Sequence, residues 1–424
     1  MMTARERILA SINHKEPDKL PVDLGSTPSS GISAIAYNRL KTHLGISDEK
    51  TKIYDVVQQL AEPSDTIIDR FDISTLDIGR AFNTDDSDWY DMKLADGSPA
   101  QYPKWFRPVP SSDGAWDAYN KNGLKIARMP EGATFFDQTY FPYLDDYPSD
   151  YSQLPQAMDT VLWSAFVHSP WDRADNDDFW TQLREKALHL RQTTDKALMV
   201  MAGSNLFEWG TFLRRMDNFL MDIYLEPEQV ARLLDALLEI HLDTLAKVCE
   251  AVGDVADIIR FGDDLGMDSG PFMAPDIYRK LFYPRHKKLC EYVHDHSNMH
   301  TFLHSCGSIS TMLPHLIDAG FEIINPVQTN VQHMDPKFLK KEFGKDITFW
   351  GGGADTRHIL NNGTVSEVQS HVRQNIDILG KDGGFVFAAI HNIMPDVPPE
   401  NVVAMFDTVA DYGDFEKKGN NREY

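Results

Sequence analysis

His304-Ser305-Cys306-Gly307 is the sharpest chemical feature of the sequence, and it directly follows the β-rich run Met299–Leu303. Residues two apart on a strand point to the same side, so the imidazole and the thiol project together. A histidine and a cysteine set side by side form a soft, two-pronged site suited to Zn2+. The plainer reading is a buried thiol beside a histidine that caps the following helix; the spacing favours metal. Two ligands do not complete a site, and three further groups follow strand-like runs: Gln328, His391 and Glu208. Neutral imidazole makes His391 the best of these donors, Glu208 is also good, and Gln328 is poor. His391 could equally hydrogen-bond a substrate carboxylate, and the residue types leave that choice open.

Asp263-Asp264, within Arg260–Gly266, ends another strand-like run. Adjacent carboxylates repel, so one can keep a raised pKa useful for general acid work. The alternative is that one caps the loop through backbone N–H groups while the other is solvated. The triple glycine Gly351-Gly352-Gly353 lets backbone approach a ligand, but it lacks the spacing of a dinucleotide fingerprint or a P-loop. No G-x-S-x-G elbow is present.

These residues need a frame that presents strand ends together. From about residue 190, β-rich runs at Ala197–Ala202, Ala256–Phe261, Met299–Leu303, Phe321–Val327, Asp346–Trp350 and Gly384–Ala389 alternate with helical stretches. The clearest helix carries Val230, Leu233, Leu234, Leu237 and Leu238 on one stripe, with Pro227 as its start signal. Pro275 opens a later helix, and Pro284 is expected to kink or end it. Repeated strand–helix alternation means right-handed βαβ units and a parallel sheet. Two earlier strands, Leu20–Leu24 and Asp72–Ile78, bring the count to eight, the number that closes a (β/α)8 TIM barrel. An open doubly wound sheet stays possible on the count alone. Residues 82–185 break the pattern and are rich in Trp, Tyr, Pro and Asp. They read as an insertion or cap over the barrel mouth, or as an aromatic packing layer, within a single domain spanning 1–424. The polar tail 416–424 is expected to fray.

The chain has 424 residues and a net charge of −23, with 42% hydrophobic and 25% charged side chains. That composition is of an ordinary globular protein. The acidic balance argues against nucleic acid and anionic membranes as partners. Three scattered cysteines exclude a disulfide framework, and no apolar run is long enough for a membrane span. The N-terminal stretch has no apolar signal core, so a first helix and a cytoplasmic location are expected.

Asp263-Asp264-Leu265-Gly266, His304-Ser305-Cys306-Gly307, the run Gly351–Leu360 and the run Ile390–Asp407 together resemble the uroporphyrinogen decarboxylase superfamily. The resemblance starts at Arg5 and is looser across 82–185. It implies the (β/α)8 barrel that the strand count reaches independently. The porphyrinogen-processing branch grips its substrate with an arginine-rich N-terminal loop, whereas Pro21–Thr27 holds no arginine here. Asp72 does resemble the aspartate those enzymes place under the pyrroles, and His391 resembles a family histidine. The other branch comprises zinc-dependent methyltransferases that carry H-x-C-G, matched by His304, Cys306 and Gly307. Their late cysteine ligand is replaced by Ala388-Ala389-Ile390-His391.

The resemblance therefore implies a methyltransferase that moves a methyl group from a small methylated substrate, such as an aryl methyl ether, to a corrinoid. No D-x-H-x-x-G motif is present, so the corrinoid would arrive on a separate protein. In that scheme His304 and Cys306 hold Zn2+, with His391 or Gln328 completing the set. Asp263, Asp264 or Glu208 serves the departing oxygen, and Phe207, Glu208, Trp209 and Asn325 contact the substrate. Core packing is the competing role for Phe207 and Trp209. The alternative activity is a metal-free decarboxylase centred on Asp72 and His391. A barrel that only binds is a third class. The resemblance also implies a homodimer. An acidic chain without a cationic clamp points to a neutral or weakly charged substrate.

Overall fold

The computed structural model of the chain describes residues 1–47 and 50–414; the polar tail 416–424 lies outside the described residues. Seven parallel strands follow one another around a sheet in chain order: β1 (Thr75–Asp77), β2 (Ala197–Gly203), β3 (Ile258–Gly262), β4 (His300–His304), β5 (Ile323–Asn325), β6 (Thr348–Trp350) and β7 (Phe385–Val386). The segment 20–24 closes the ring, because Val22 bridges Ile73 on one side and Phe387 on the other, both in parallel. Backbone bonds seal this seam, with Ser74 N donating to Val22 O at 2.7 Å and Phe387 N to Pro21 O at 2.9 Å. The result is the eight-stranded (β/α)8 barrel.

Alternation along the strands separates two cores. Met199, Ile258, Phe302, Ile323, Trp350 and Val386 fill the barrel interior, together with Ile8 and Ile12. The last two come from the helix Ala4–Ile12, which a Thr3–Glu6 capping box starts and which plugs the N-terminal end of the barrel. Outward-facing residues such as Ile259 and Phe261 join the helix-facing core. There the stripe Val230, Leu233, Leu234, Leu237 and Leu238 of the helix Pro227–Val252 is buried throughout. Each such side chain contributes on the order of 1.5–3 kcal/mol of transfer free energy. Pro284 does not kink a continuing helix: the helix Pro275–Leu281 ends at Phe282, and Pro284 lies in the first turn of the next, Tyr283–His296.

Between β1 and β2, the aperiodic segment folds into antiparallel pieces. Trp89–Lys93 pairs with Pro99–Pro103, and a four-stranded sheet joins Val109–Pro110, Trp116–Tyr119, Lys125–Met129 and Asp137–Gln138. Asp96-Gly97, Asp113-Gly114 and Asn122-Gly123 mark the reversals, with the glycines at φ 81°, 82° and 76°. Asx-Gly pairs are the strongest short hairpin signal, and they are the cue that aromatic richness masks in the sequence. No helix among the described residues is long and apolar enough to cross a membrane.

Candidate metal centre and cavity

β4 sends Phe302 into the inner core and His304, two residues on, to the C-terminal mouth of the barrel. Cys306 follows in the turn. His391 arrives from the loop after β7, held in the left-handed region at φ 68°. A non-glycine residue keeps such a conformation only where its surroundings enforce it. One donor atom each from His304, Cys306 and His391 lies within 4.8 Å of the others. Cys306 Sγ is 3.5 Å from His304 Nε2.

The protonation of His304 is set from behind. Asn325 Nδ2 donates to Trp350 O at 2.9 Å, which orients the amide. Its Oδ1 then accepts from Ser29 Oγ at 2.8 Å and from His304 Nδ1 at 2.6 Å. With the proton on Nδ1, Nε2 presents its lone pair toward Cys306. Burial lowers the His304 pKa to about 4, against the pull of Asp264, so the ring is neutral. Burial also lowers the pKa of His391 and, with Asp264 and Glu208, raises that of the Cys306 thiol well above its ordinary value. Two neutral imidazoles and a thiol are a zinc-type donor set, and the thiol must release its proton when a metal binds.

Gly307 explains the last letter of the motif. It sits at φ 90°, and a Cβ there would lie 2.2 Å from the backbone carbon of Gly266. The two loops that carry Asp264 and Cys306 can touch only because both positions are glycine. Gln328 supports this turn: its Oε1 accepts from Gly307 N at 2.8 Å. That oxygen is committed to the backbone, so Gln328 buttresses the turn in place of offering it to a metal.

The paired acids divide their labour. Asp263 is fully buried and accepts from Phe207 N at 3.0 Å, Glu208 N at 2.9 Å and His286 Nε2 at 3.1 Å. It caps the helix Phe207–Arg214, a structural role in place of acid chemistry. Asp264 accepts from Cys306 N at 2.8 Å and lies 3.4 Å from His304 Nε2. Glu208, in the first turn of the capped helix, has its pKa raised to about 8 by burial and by Asp264 and Asp263.

Above this floor lies a cavity of about 870 Å3, bounded by Glu208, Arg260, Asp264, His304 and His391 below. Aromatic rings wall it: Trp209 and Phe212, and, all from within 82–185, Trp105, Phe106, Trp163 and Phe166, with Trp163 packed against Phe212. Phe207 is not on this wall: it is buried, stacks on Phe272 and packs against Phe219 and Phe282. Asn325, fully buried, orients His304 and does not line the cavity. Asp72 lies at the other end of the barrel, before β1, with an exposed side chain 3.7 Å from Arg7. Arg260, Ser204 and His168 line the cavity without having been singled out in the sequence. Arg260 had a signal, the one basic residue inside the strand run Ala256–Phe261, two positions from Ile258. His168 had none, since it lies in an aperiodic stretch.

The family profile described as Uroporphyrinogen decarboxylase (URO-D) matches residues 198–412, from β2 through the helix Pro399–Tyr412. The chain belongs to the uroporphyrinogen decarboxylase family. The matched span holds all three clustered donors. Among solved structures, a methyltransferase from Methanosarcina mazei is similar at 17% identity and a TM-score of 0.57, covering 97% of this chain and 99% of that one. A B12-independent methionine synthase from Shewanella sp. overlaps more loosely, at 11% identity and a TM-score of 0.38, covering 83% of this chain and 85% of that one. No curated protein sequence matches the chain.

Proposed function

We propose that this chain is a methyltransferase that takes a methyl group from a small methylated compound, with zinc held by His304, Cys306 and His391 and a corrinoid on a separate protein as acceptor. The observation that carries the reading is the convergence of those three donor atoms within 4.8 Å, with His304 and His391 lining the cavity. The similar fold of the Methanosarcina mazei methyltransferase supports it. When bound, zinc supplies Lewis acidity toward the heteroatom that bears the methyl group.

The chain's own residues do the rest. Asn325 fixes the Nδ1–H tautomer of His304, which keeps Nε2 available. Glu208 holds a proton at neutral pH. Asn205 Nδ2 donates to its Oε2 at 2.5 Å, which leaves the proton on Oε1, able to move to the departing heteroatom. Trp209, Phe212 and Trp163 exclude water and present flat surface to a substrate ring.

A metal-free decarboxylase is the competing reading, and Arg260 in the cavity is the observation that favours it, because a cation can hold a carboxylate. It gives the His–Cys–His cluster no task. The test is to mix zinc-loaded protein with aryl methyl ethers and reduced free cobalamin and to follow methylcobalamin by absorbance. Zinc-dependent methylation is expected. Release of CO2 from an aryl carboxylate by the chelator-treated protein would establish the decarboxylase instead.

A further inference from the structure

Three residues that line the cavity each carry a buried polar atom with no hydrogen-bond partner among the described residues: Arg260 Nε, Ser204 Oγ and His168 Nε2. They come from β3, from the residue after β2 and from the 82–185 segment. An unpaired buried donor or acceptor costs about 1–3 kcal/mol, so three meeting in one space mark a polar subsite. Arg260 shares the inward face of β3 with Ile258 and Gly262. Glycine at 262 matters, because a Cβ there would lie 3.3 Å from Arg260 Nη1 and 2.7 Å from Asn205 Nδ2.

The acids around Arg260 are engaged elsewhere. Asp264 accepts from Cys306 N at 2.8 Å, Glu208 from Asn205 Nδ2 at 2.5 Å, and Asp55 from Gln58 N at 2.9 Å. The guanidinium is thus kept near carboxylates that steady its charge while its planar donor edge stays free for a ligand. A planar fork of this kind matches a carboxylate. A phosphate dianion would meet the nearby Asp264 carboxylate with twice the charge of a carboxylate, so a monoanion fits better. His168, whose pKa burial lowers to about 3, is a neutral ring that can donate from Nε2.

We infer that Arg260, Ser204 and His168 form an anion subsite, and that the substrate is a small aromatic methyl compound bearing a carboxylate. The carboxylate binds at Arg260 while the methyl-bearing end faces His304 and His391; the methyl group and this placement of it rest on the methyl-transfer reading, whereas the anion subsite does not.

Calorimetric titration of the zinc-loaded protein with para-methoxybenzoate and with its neutral isostere para-methoxybenzamide tests the subsite without any turnover. The benzoate is expected to bind about 10- to 100-fold tighter, the range of one charge-assisted pairing. That preference is expected to vanish in Arg260→Met and to shrink several-fold in Ser204→Ala, which removes one hydroxyl and decides the matter if Arg260→Met fails to fold. Equal affinity for the two probes, no binding of either, or a preference unchanged in both variants would overturn the inference. A carboxylate preference without methyl transfer would sink the proposed activity and leave the subsite standing. Methyl transfer from the amide as readily as from the benzoate would do the reverse.

Discussion

His304 reaches the cavity as a neutral ring because burial, helped by Arg260 and His391, outweighs the pull of Asp264. Asn325 then decides which nitrogen is free. Replacing Asn325 by Ala removes that orientation without touching the ligands, so zinc affinity is expected to fall about 10- to 100-fold, measured by competition with a chelating dye. Glu208 supplies the pH dependence. Its raised pKa, about 8, keeps it protonated at neutral pH, and the protonated form is the acid. Turnover is therefore expected to decline as pH rises through about 8, and Glu208→Gln to lose both that limb and most of the rate. At this scale the sequence was half legible. The motif was legible as a strand end, and donor chemistry suffices to favour His391. Cys306 lies in the turn beyond β4, so the turn, in place of the strand period, sets it beside His304. Asn325, Gln328 and Phe207 were misassigned because residue type does not reveal that an amide is spent on an imidazole or on a backbone N–H, or that a ring is stacked in the core.

Strand ends and helix starts are what bring these groups together. β3 is followed directly by Asp263, whose carboxylate holds the first N–H groups of the helix Phe207–Arg214 and so places Glu208 on the cavity. Asp263→Ala would leave those donors and His286 unpaired in a fully buried setting. The expected loss is about 3–5 kcal/mol in urea unfolding, the range for breaking a buried pair. Asp263→Asn, which can still accept, is expected to lose less. The two readings of Asp263-Asp264 were both available from the sequence, and burial chose the cap for the first residue. Helix starts were legible where proline marks them, as at Pro227 and Pro275. Pro284 shows the limit, because one proline can equally end one helix or begin the next.

On the scale of the whole chain, the barrel was legible because its strands are buried on both faces and read as apolar runs between amphipathic helices. Even the segment 20–24 was visible, although only single bridges join it to its neighbours. Residues 82–185 were not, since their strands are two to five residues long and too short to show a period. Their aromatic side chains nonetheless complete the cavity wall. The net charge of −23 spoke against large polyanionic partners but gave no sign that a buried-strand cation, Arg260, lines the cavity among its acids.

The central claim is that His304, Cys306 and His391 hold a zinc ion beneath that cavity. Zinc X-ray absorption on chelator-free protein, with the metal quantified on the same sample, tests it most directly. The expected result is about one zinc per chain with nitrogen and sulfur in its first shell, the sulfur contribution disappearing in Cys306→Ser. A fully active protein with no bound metal, or a zinc spectrum unchanged in Cys306→Ser, would contradict it.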